Sequence, residues 1–275
     1  NPSTLGLFEH HVAELLEAVH AAGALAYMDG ANMNAVLGHF RPGQAGFDVM
    51  HFNLHKTFST PHGGGGPGAG PIAVAEHLRP YLPEPLVVRD GEGYRLESPG
   101  ERPKAIGRVR AYQGSTGVIV RAYAYIRAHG GSGLREVSED AVLAANSLRQ
   151  RVGEAYELPV EGPCKHEFVA SASAIKEATG VRTYDIAKRL IDHGYHPPTI
   201  YFPLIVDEAF MVEPTETESR ESLDHFVDVL RAIHKEAAAD PELVKAAPHT
   251  TPVGRMDEAQ AARQPDLRWL GPCNC

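Results

Sequence analysis

Lys56 stands between a histidine and a hydroxyl-rich turn in Asn53-Leu54-His55-Lys56-Thr57-Phe58-Ser59-Thr60-Pro61-His62, and Gly63-Gly64-Gly65-Gly66-Pro67-Gly68-Ala69-Gly70-Pro71 follows at once. Glycines let backbone approach a ligand closely and adopt conformations that side chains forbid. A partly desolvated lysine amine loses its proton and can form an imine with a carbonyl compound. Upstream, Tyr27-Met28-Asp29-Gly30-Ala31-Asn32 reads as a short apolar strand ending in a carboxylate. A Schiff-base lysine and a carboxylate for a pyridinium nitrogen are the minimal set for pyridoxal 5'-phosphate (PLP) chemistry. Each has a plainer reading: Lys56 as a solvated surface lysine, and Asp29 as the first residue of an ordinary Asp-Gly turn.

The elements around these residues follow an α/β pattern. Apolar residues Leu7, Phe8, Val12, Leu15, Leu16 and Val19 recur with a helical period, which predicts a helix over residues 7–22, ended by Gly23. Residues 24–28 then read as a buried parallel strand and residues 49–54 as a second one. Helix, strand, connection and strand build a sheet whose ligands sit beyond the carboxyl ends of its strands, and Asp29 and Lys56 both fall just past such ends. Residues 80–103 are rich in Pro, Gly and charge and predict a hairpin or flap. Helices are expected over 116–129 and 136–156, on either side of Gly130-Gly131-Ser132-Gly133. Further on, strands are expected near 166–172 and 204–206 and helices near 184–193 and 218–238. Prolines 241, 248, 252, 265 and 272 predict an extended tail.

Composition narrows the function classes. The chain has 275 residues, 43% of them apolar and 22% charged, as in an ordinary globular protein of one or two domains. A net charge of −9 argues against non-specific nucleic-acid binding. No apolar run reaches the roughly 20 residues of a membrane helix, and no secretory signal is evident. Three cysteines point away from a disulfide framework and toward a reducing, cytoplasmic setting. Cys273 and Cys275 form a C-x-C pair with no second pair to complete a zinc site, and the fifteen histidines are scattered, so no metal centre is expected.

An ordered set of words along the chain resembles one family, the second subunit of the glycine-cleavage decarboxylase (glycine dehydrogenase (decarboxylating), the P-protein). The words are Asn1-Pro2-Ser3-Thr4-Leu5-Gly6-Leu7-Phe8-Glu9, the Asp29 and Lys56 motifs, Gly194-Tyr195-His196-Pro197-Pro198-Thr199 and Tyr201-Phe202-Pro203-Leu204. Two more follow, Glu213-Pro214-Thr215-Glu216-Thr217-Glu218-Ser219 and Trp269-Leu270-Gly271-Pro272-Cys273-Asn274-Cys275. The resemblance implies a PLP-dependent transferase fold of the aspartate aminotransferase-like type, fold type I. Residues 1–130 would be the C-terminal part of a PLP-binding large domain, 131–240 a small α+β domain, and 241–275 a tail. Members of the family carry a further N-terminal portion, so this chain is expected to be partial and to lack a ring-stacking residue and much of the phosphate cup.

The implied reaction is decarboxylation of glycine with transfer of the aminomethyl group to the lipoyl arm of an H-protein. The implied partners are that lipoylated H-protein and a first decarboxylase subunit, in an α2β2 heterotetramer. Lys56 would carry the cofactor as a Schiff base and Asp29 would hold the ring nitrogen protonated. His55 either packs locally or reaches the cofactor phosphate. Asn32 and Asn1 match positions that contact the phenolic oxygen of PLP in related folds. Thr57 is a hydroxyl candidate or a backbone partner, and Ser115, before a helix, is a phosphate ligand from a neighbouring chain or a helix cap. Two rival classes remain. A cysteine desulfurase would need a mobile cysteine at the site, and an aminotransferase an arginine clamp; neither is evident. An inactive structural fragment is the non-enzymatic alternative.

Overall fold

The computed structural model describes residues 2–63, 68–268 and 271. The chain divides into two compact units, one formed by residues 1–147, 162–168 and 214–217, the other by 148–161, 169–213 and 218–275.

The first unit opens with turns closed by the Gly6 amide on the Ser3 carbonyl at 2.9 Å, so the first helix, α1 (Val12–Ala21), starts later than its periodicity predicts. A three-stranded sheet follows in the order β1 (Tyr27–Asp29), β2 (Val49–His51) and β3 (Ile72–Val74). β1 and β2 are parallel, with Asp29 opposite His51, and β3 is antiparallel to β2. β1 is not buried on both faces as expected: Met28 is 2% exposed, whereas Tyr27 beside it is 57% exposed. The strand therefore alternates inward and outward, as a half-covered strand does. α2 (Pro42–Ala45) connects β1 to β2, and the four-residue α3 (Leu54–Thr57) takes the place of the expected last residues of the second strand.

β4 (Val87–Asp90) and β5 (Gly93–Leu96) form the expected antiparallel hairpin. α4 (Thr116–Val152) is interrupted at Gly130, whose φ of 64° and ψ of −174° suit glycine and not a helix. The break falls where the glycine cluster predicts it, but the second segment resumes directly after Gly130, ahead of residue 136. The core of this unit gathers Met33, Val36, Leu54, Phe58, Val118 and Ala122. It therefore lies between the turn after β1, the Lys56 segment and the first half of α4.

In the second unit β6 (Phe168–Ser171), β8 (Ala209–Val212) and β7 (Thr199–Ile200) form a sheet in that order, with α5 (Ser173–Thr179), α6 (Thr183–Asp192), α7 (Arg220–Ala239) and α8 (Pro241–Lys245). Val227, Leu230 and Ile233 of α7 and Ile186 and Leu190 of α6 are buried, the one-face pattern of an amphipathic helix. Residues 204–206 are not a strand. They form an exposed turn between β7 and β8, bracketed by Tyr201 and Glu208 at left-handed φ of 57° and 45°. An apolar run alone does not say which way it faces, and here the turn carries it outward. The tail is not wholly extended either. α8 and α9 (Glu258–Arg263) form because Pro241 occupies a first turn, where proline is tolerated, and Asp240 and Asp257 cap the two helices through their side chains. No helix among the described residues is long and apolar enough to cross a membrane.

Asp192 ends α6 and ties down the segment after α8. Its Oδ1 accepts the amides of His249 at 2.6 Å and Thr250 at 2.8 Å, and Arg189 donates to Oδ2 at 3.0 Å. Burial by itself raises this carboxyl's pKa, but the two amides and the guanidinium prevail and bring it from 3.8 down to about 2. A depressed pKa stabilises the fold fully above the ordinary value, and the contribution is lost as pH falls through the range between the two. Acid unfolding followed by circular dichroism will therefore steepen between about pH 4 and pH 2. Asp192→Asn will lose about 2 kcal/mol at neutral pH and show a flatter acid limb.

Candidate active site

Adjacent parallel strands end side by side, and here those ends carry the chemistry. The Gly30 amide, just after Asp29, donates to the His51 carbonyl at 3.0 Å, and the Asn53 amide donates back to Ala31 at 3.2 Å. A side chain at Gly30 would put its Cβ 2.7 Å from that His51 oxygen, so the close approach of the two turns requires glycine. The turns are joined again by Thr57, whose Oγ1 accepts the Met33 amide at 2.9 Å and donates to Asn32 Oδ1 at 3.4 Å. In α3, Leu54, Thr57 and Phe58 are buried. These are the i, i+3 and i+4 positions of one helical face. Lys56 lies off that face and is exposed.

Lys56 lines a cleft of about 450 Å³ together with Thr57, Ser59, Asn34, Tyr125 and Glu216. Its amine has no hydrogen-bond or ion-pair partner among the described residues. Asn34 Nδ2 donates to Glu216 Oε2 at 3.1 Å, while the buried Asn34 Oδ1 has no partner among the described residues. Ser59 holds a left-handed φ of 55°, and its carbonyl accepts Arg121 Nε at 3.1 Å. A non-glycine residue in that region costs on the order of 1–2 kcal/mol, so the turn after Lys56 is strained and held.

Asp29 lies at the end of β1, outside the residues that line this cleft. Its Oδ1 accepts the Ala31 amide at 2.9 Å and stands 3.4 Å from His51 Nε2; its Oδ2 has no partner among the described residues. His55 presents a buried Nδ1 without a partner among the described residues, with its ring 4.4 Å from that of His62 in an edge-on arrangement. Burial, then the nearby His62 and Lys56 charges, lower its pKa and keep the ring neutral. Asn32 Oδ1 accepts the Asn34 amide at 2.9 Å as well as the Thr57 hydroxyl.

The structure thus brings Lys56, Thr57 and Asn32 into one hydrogen-bonded corner, with Asp29 at the neighbouring strand end. Ser115 is separate: it precedes α4, its carbonyl accepts the Ile119 amide at 3.0 Å, and it is not among the cleft residues. Asn1 and the glycines 64–66 lie outside the described residues, as do Cys273 and Cys275.

Asn34, Tyr125, Glu216 and His51 were not singled out from the sequence. Glu216 sits in the family-like word over residues 213–219, and Asn34 lies two residues past the Asp29 word. Tyr125 and His51 carry no local signal, because only packing and strand register bring them here. Burial first, and then the Glu216 carboxylate, raise the Tyr125 pKa above 10. Glu216→Gln removes the repulsion that opposes a phenolate but leaves the burial. Titration of Tyr125 by ring-carbon NMR will therefore show a pKa above 10 that falls part of the way back in the variant. An unchanged titration would mean that the carboxylate does not face the ring.

Residues 137–249 match the family model described as the C-terminal domain of glycine dehydrogenase. The chain is 58% identical, over 98% of its length, to a probable glycine dehydrogenase (decarboxylating) subunit 2 from Halalkalibacterium halodurans. It is 60% identical, over 96% of its length, to the protein of the same name from Chlorobium chlorochromatii. It covers 54% of each, so the chain spans about half the length of these curated relatives. Among solved structures it is similar to a glycine decarboxylase (P-protein) of the glycine cleavage system in inhibitor-bound form. The TM-score is 0.71 at 25% identity, over 85% of this chain and 53% of that one. An apo cysteine desulfurase from Thermococcus onnurineus shares the fold, with a TM-score of 0.60 at 20% identity over 84% of this chain and 57% of that one. The architecture is the aspartate aminotransferase-like fold type I of PLP-dependent enzymes, and along nearly its whole length the chain matches about half of glycine dehydrogenase (decarboxylating) second subunits.

Proposed function

We propose that this chain carries the Schiff-base lysine of a PLP-dependent glycine decarboxylase. The whole enzyme removes carbon dioxide from glycine and passes the aminomethyl group to the lipoyl arm of an H-protein. The observation that supports this most directly is the amine of Lys56, unpartnered among the described residues, in a cleft at the carboxyl end of a parallel strand pair whose neighbouring strand ends in Asp29. The proposal includes a first decarboxylase subunit as partner, an α2β2 assembly and a cytoplasmic setting, all of which rest on the family.

The residues present fit the cofactor. The Lys56 amine for its aldehyde, Asp29 Oδ2 for its ring nitrogen and the buried Nδ1 of His55 for its anionic end, each without a partner among the described residues, form a complementary set. Bound there, PLP supplies an electron sink for the carbanion left when a carboxylate departs. Lys56 attaches the cofactor and, once displaced by the substrate amine, is positioned to carry protons at its Nζ. Asp29 keeps a proton on the ring nitrogen through charge. Thr57 and Asn32 hold the two turns at a fixed spacing, so neither group has to reorganise. The desulfurase alternative finds no support, because Cys164 is buried and bonded through its backbone to Asn146.

Borohydride reduction of the PLP-treated protein followed by peptide mass analysis will place a pyridoxyl group on Lys56, and Lys56→Ala will lose it. A label confined to another lysine would overturn the assignment. In the whole enzyme, Asp29→Asn will keep the adduct and lose most of the exchange of carbon dioxide into glycine. Near-normal exchange would reduce Asp29 to a turn residue.

A further inference from the structure

We infer that His51 and Tyr27 form a relay that orients Asp29, leaving one carboxylate oxygen free for the ring nitrogen of the cofactor; this rests on the PLP reading above. In the parallel ladder Asp29 is the direct partner of His51, which puts their side chains on the same face. His51 Nε2 stands 3.4 Å from Asp29 Oδ1, and on the other side of the ring the Tyr27 hydroxyl lies 2.5 Å from Nδ1. The Tyr27 and His51 rings lie 5.7 Å apart at a tilt of 32°, so the imidazole is held by contact as well as by its hydrogen bond.

The proton positions follow from these contacts. If Nδ1 alone carried a proton, the Nε2 lone pair would face a carboxylate oxygen at 3.4 Å, and the two would repel. The remaining forms, neutral with Tyr27 donating to Nδ1 or doubly protonated, both put a proton on Nε2, within ion-pair distance of Asp29 Oδ1 at 3.4 Å. With the Ala31 amide donating to Oδ1 at 2.9 Å, the amide bond and the imidazole contact fall on the same oxygen. Oδ2 is left without a partner among the described residues, and it is the atom offered to a ligand. His51 does not touch the reacting atoms in this scheme; it is a positioning residue, and Tyr27 positions it in turn.

The 275-residue chain is labelled with nitrogen-15 in its histidines, and long-range nitrogen–proton NMR reports which His51 nitrogen is protonated, with His51→Gln assigning the signal. The relay requires a protonated Nε2, and Tyr27→Phe should let the tautomers mix. PLP binding and the nitrogen-15 shift of ring-labelled PLP are then measured for His51→Phe, His51→Gln, Asp29→Asn and the double variant His51→Phe/Asp29→Asn. His51→Phe should weaken binding about tenfold and move the ring nitrogen part of the way toward its neutral value. His51→Gln, which keeps a side-chain donor, should recover most of both effects, and His51→Phe should add nothing in the Asp29→Asn background.

An Nε2 without its proton overturns the relay, as does a His51→Phe effect that simply adds to that of Asp29→Asn. Failure of wild type to form the Lys56 adduct would overturn the PLP reading, and the relay with it. An adduct that responds to Asp29→Asn but not to His51→Phe would overturn the relay alone.

Discussion

Parallel pairing of β1 and β2 brings the carboxyl ends of two strands to one edge of the sheet, and Asp29, Asn32, Lys56 and Thr57 follow those two ends. Strand side chains repeat with a period of two, so a slip of one residue would turn Asp29 to the opposite face from His51. The slip is resisted by the backbone contact at Gly30 and by the return bond from Asn53, which close the two turns on each other. Thr57 then joins the turn after β1 to α3 with its one hydroxyl, donating and accepting at once. Lys56 owes its direction to this corner, because Leu54, Thr57 and Phe58 are drawn inward on either side of it.

The cleft beside Lys56 is polar but only partly satisfied. Asn34 uses its amide nitrogen on Glu216 and leaves its buried oxygen without a protein partner. Among the described residues His55 likewise keeps a buried ring nitrogen unpaired. Buried polar groups are costly when unpaired, typically by about 1–3 kcal/mol each, and a ligand with complementary groups relieves that cost. The strained backbone at Ser59 adds to the cluster of unrelieved features around one lysine. Such strain is common where a site is held ready for its ligand.

The second unit shows the opposite economy, with its buried charge fully matched. Glu208 is almost completely buried, yet it accepts the Thr183 amide at 2.8 Å and faces Lys176 Nζ at 2.8 Å. Burial opposes its ionisation, but these partners outweigh it and hold its pKa below the ordinary value. Tyr156 is buried with its hydroxyl donating to the Leu230 carbonyl at 3.0 Å and its ring edge-on to Phe210 at 5.1 Å. Matched charges and helices that bury one face build this unit for stability, although His193 Nε2 and His234 Nδ1 are buried without a partner among the described residues.

Local chemistry was enough to single out Lys56 and Asp29 as candidates and to show the α/β pattern around them, the helix break at Gly130 and the hairpin after Pro80. These depend on residue types and short-range periodicity, which a linear chain displays openly. Ordered words also carried the family. Exposure did not follow from the sequence: β1 alternates and the apolar residues 204–206 turn outward, because neighbours distant in the chain decide which face is covered. Partnership did not follow either. His51 became relevant only through its register with Asp29, Glu216 through its bond to Asn34 across 182 positions, and Tyr125 through packing of α4. Sequence determined which groups are available for chemistry, and tertiary structure decided which of them meet, since hydrogen bonds and ion pairs act over a few ångströms whatever the separation along the chain.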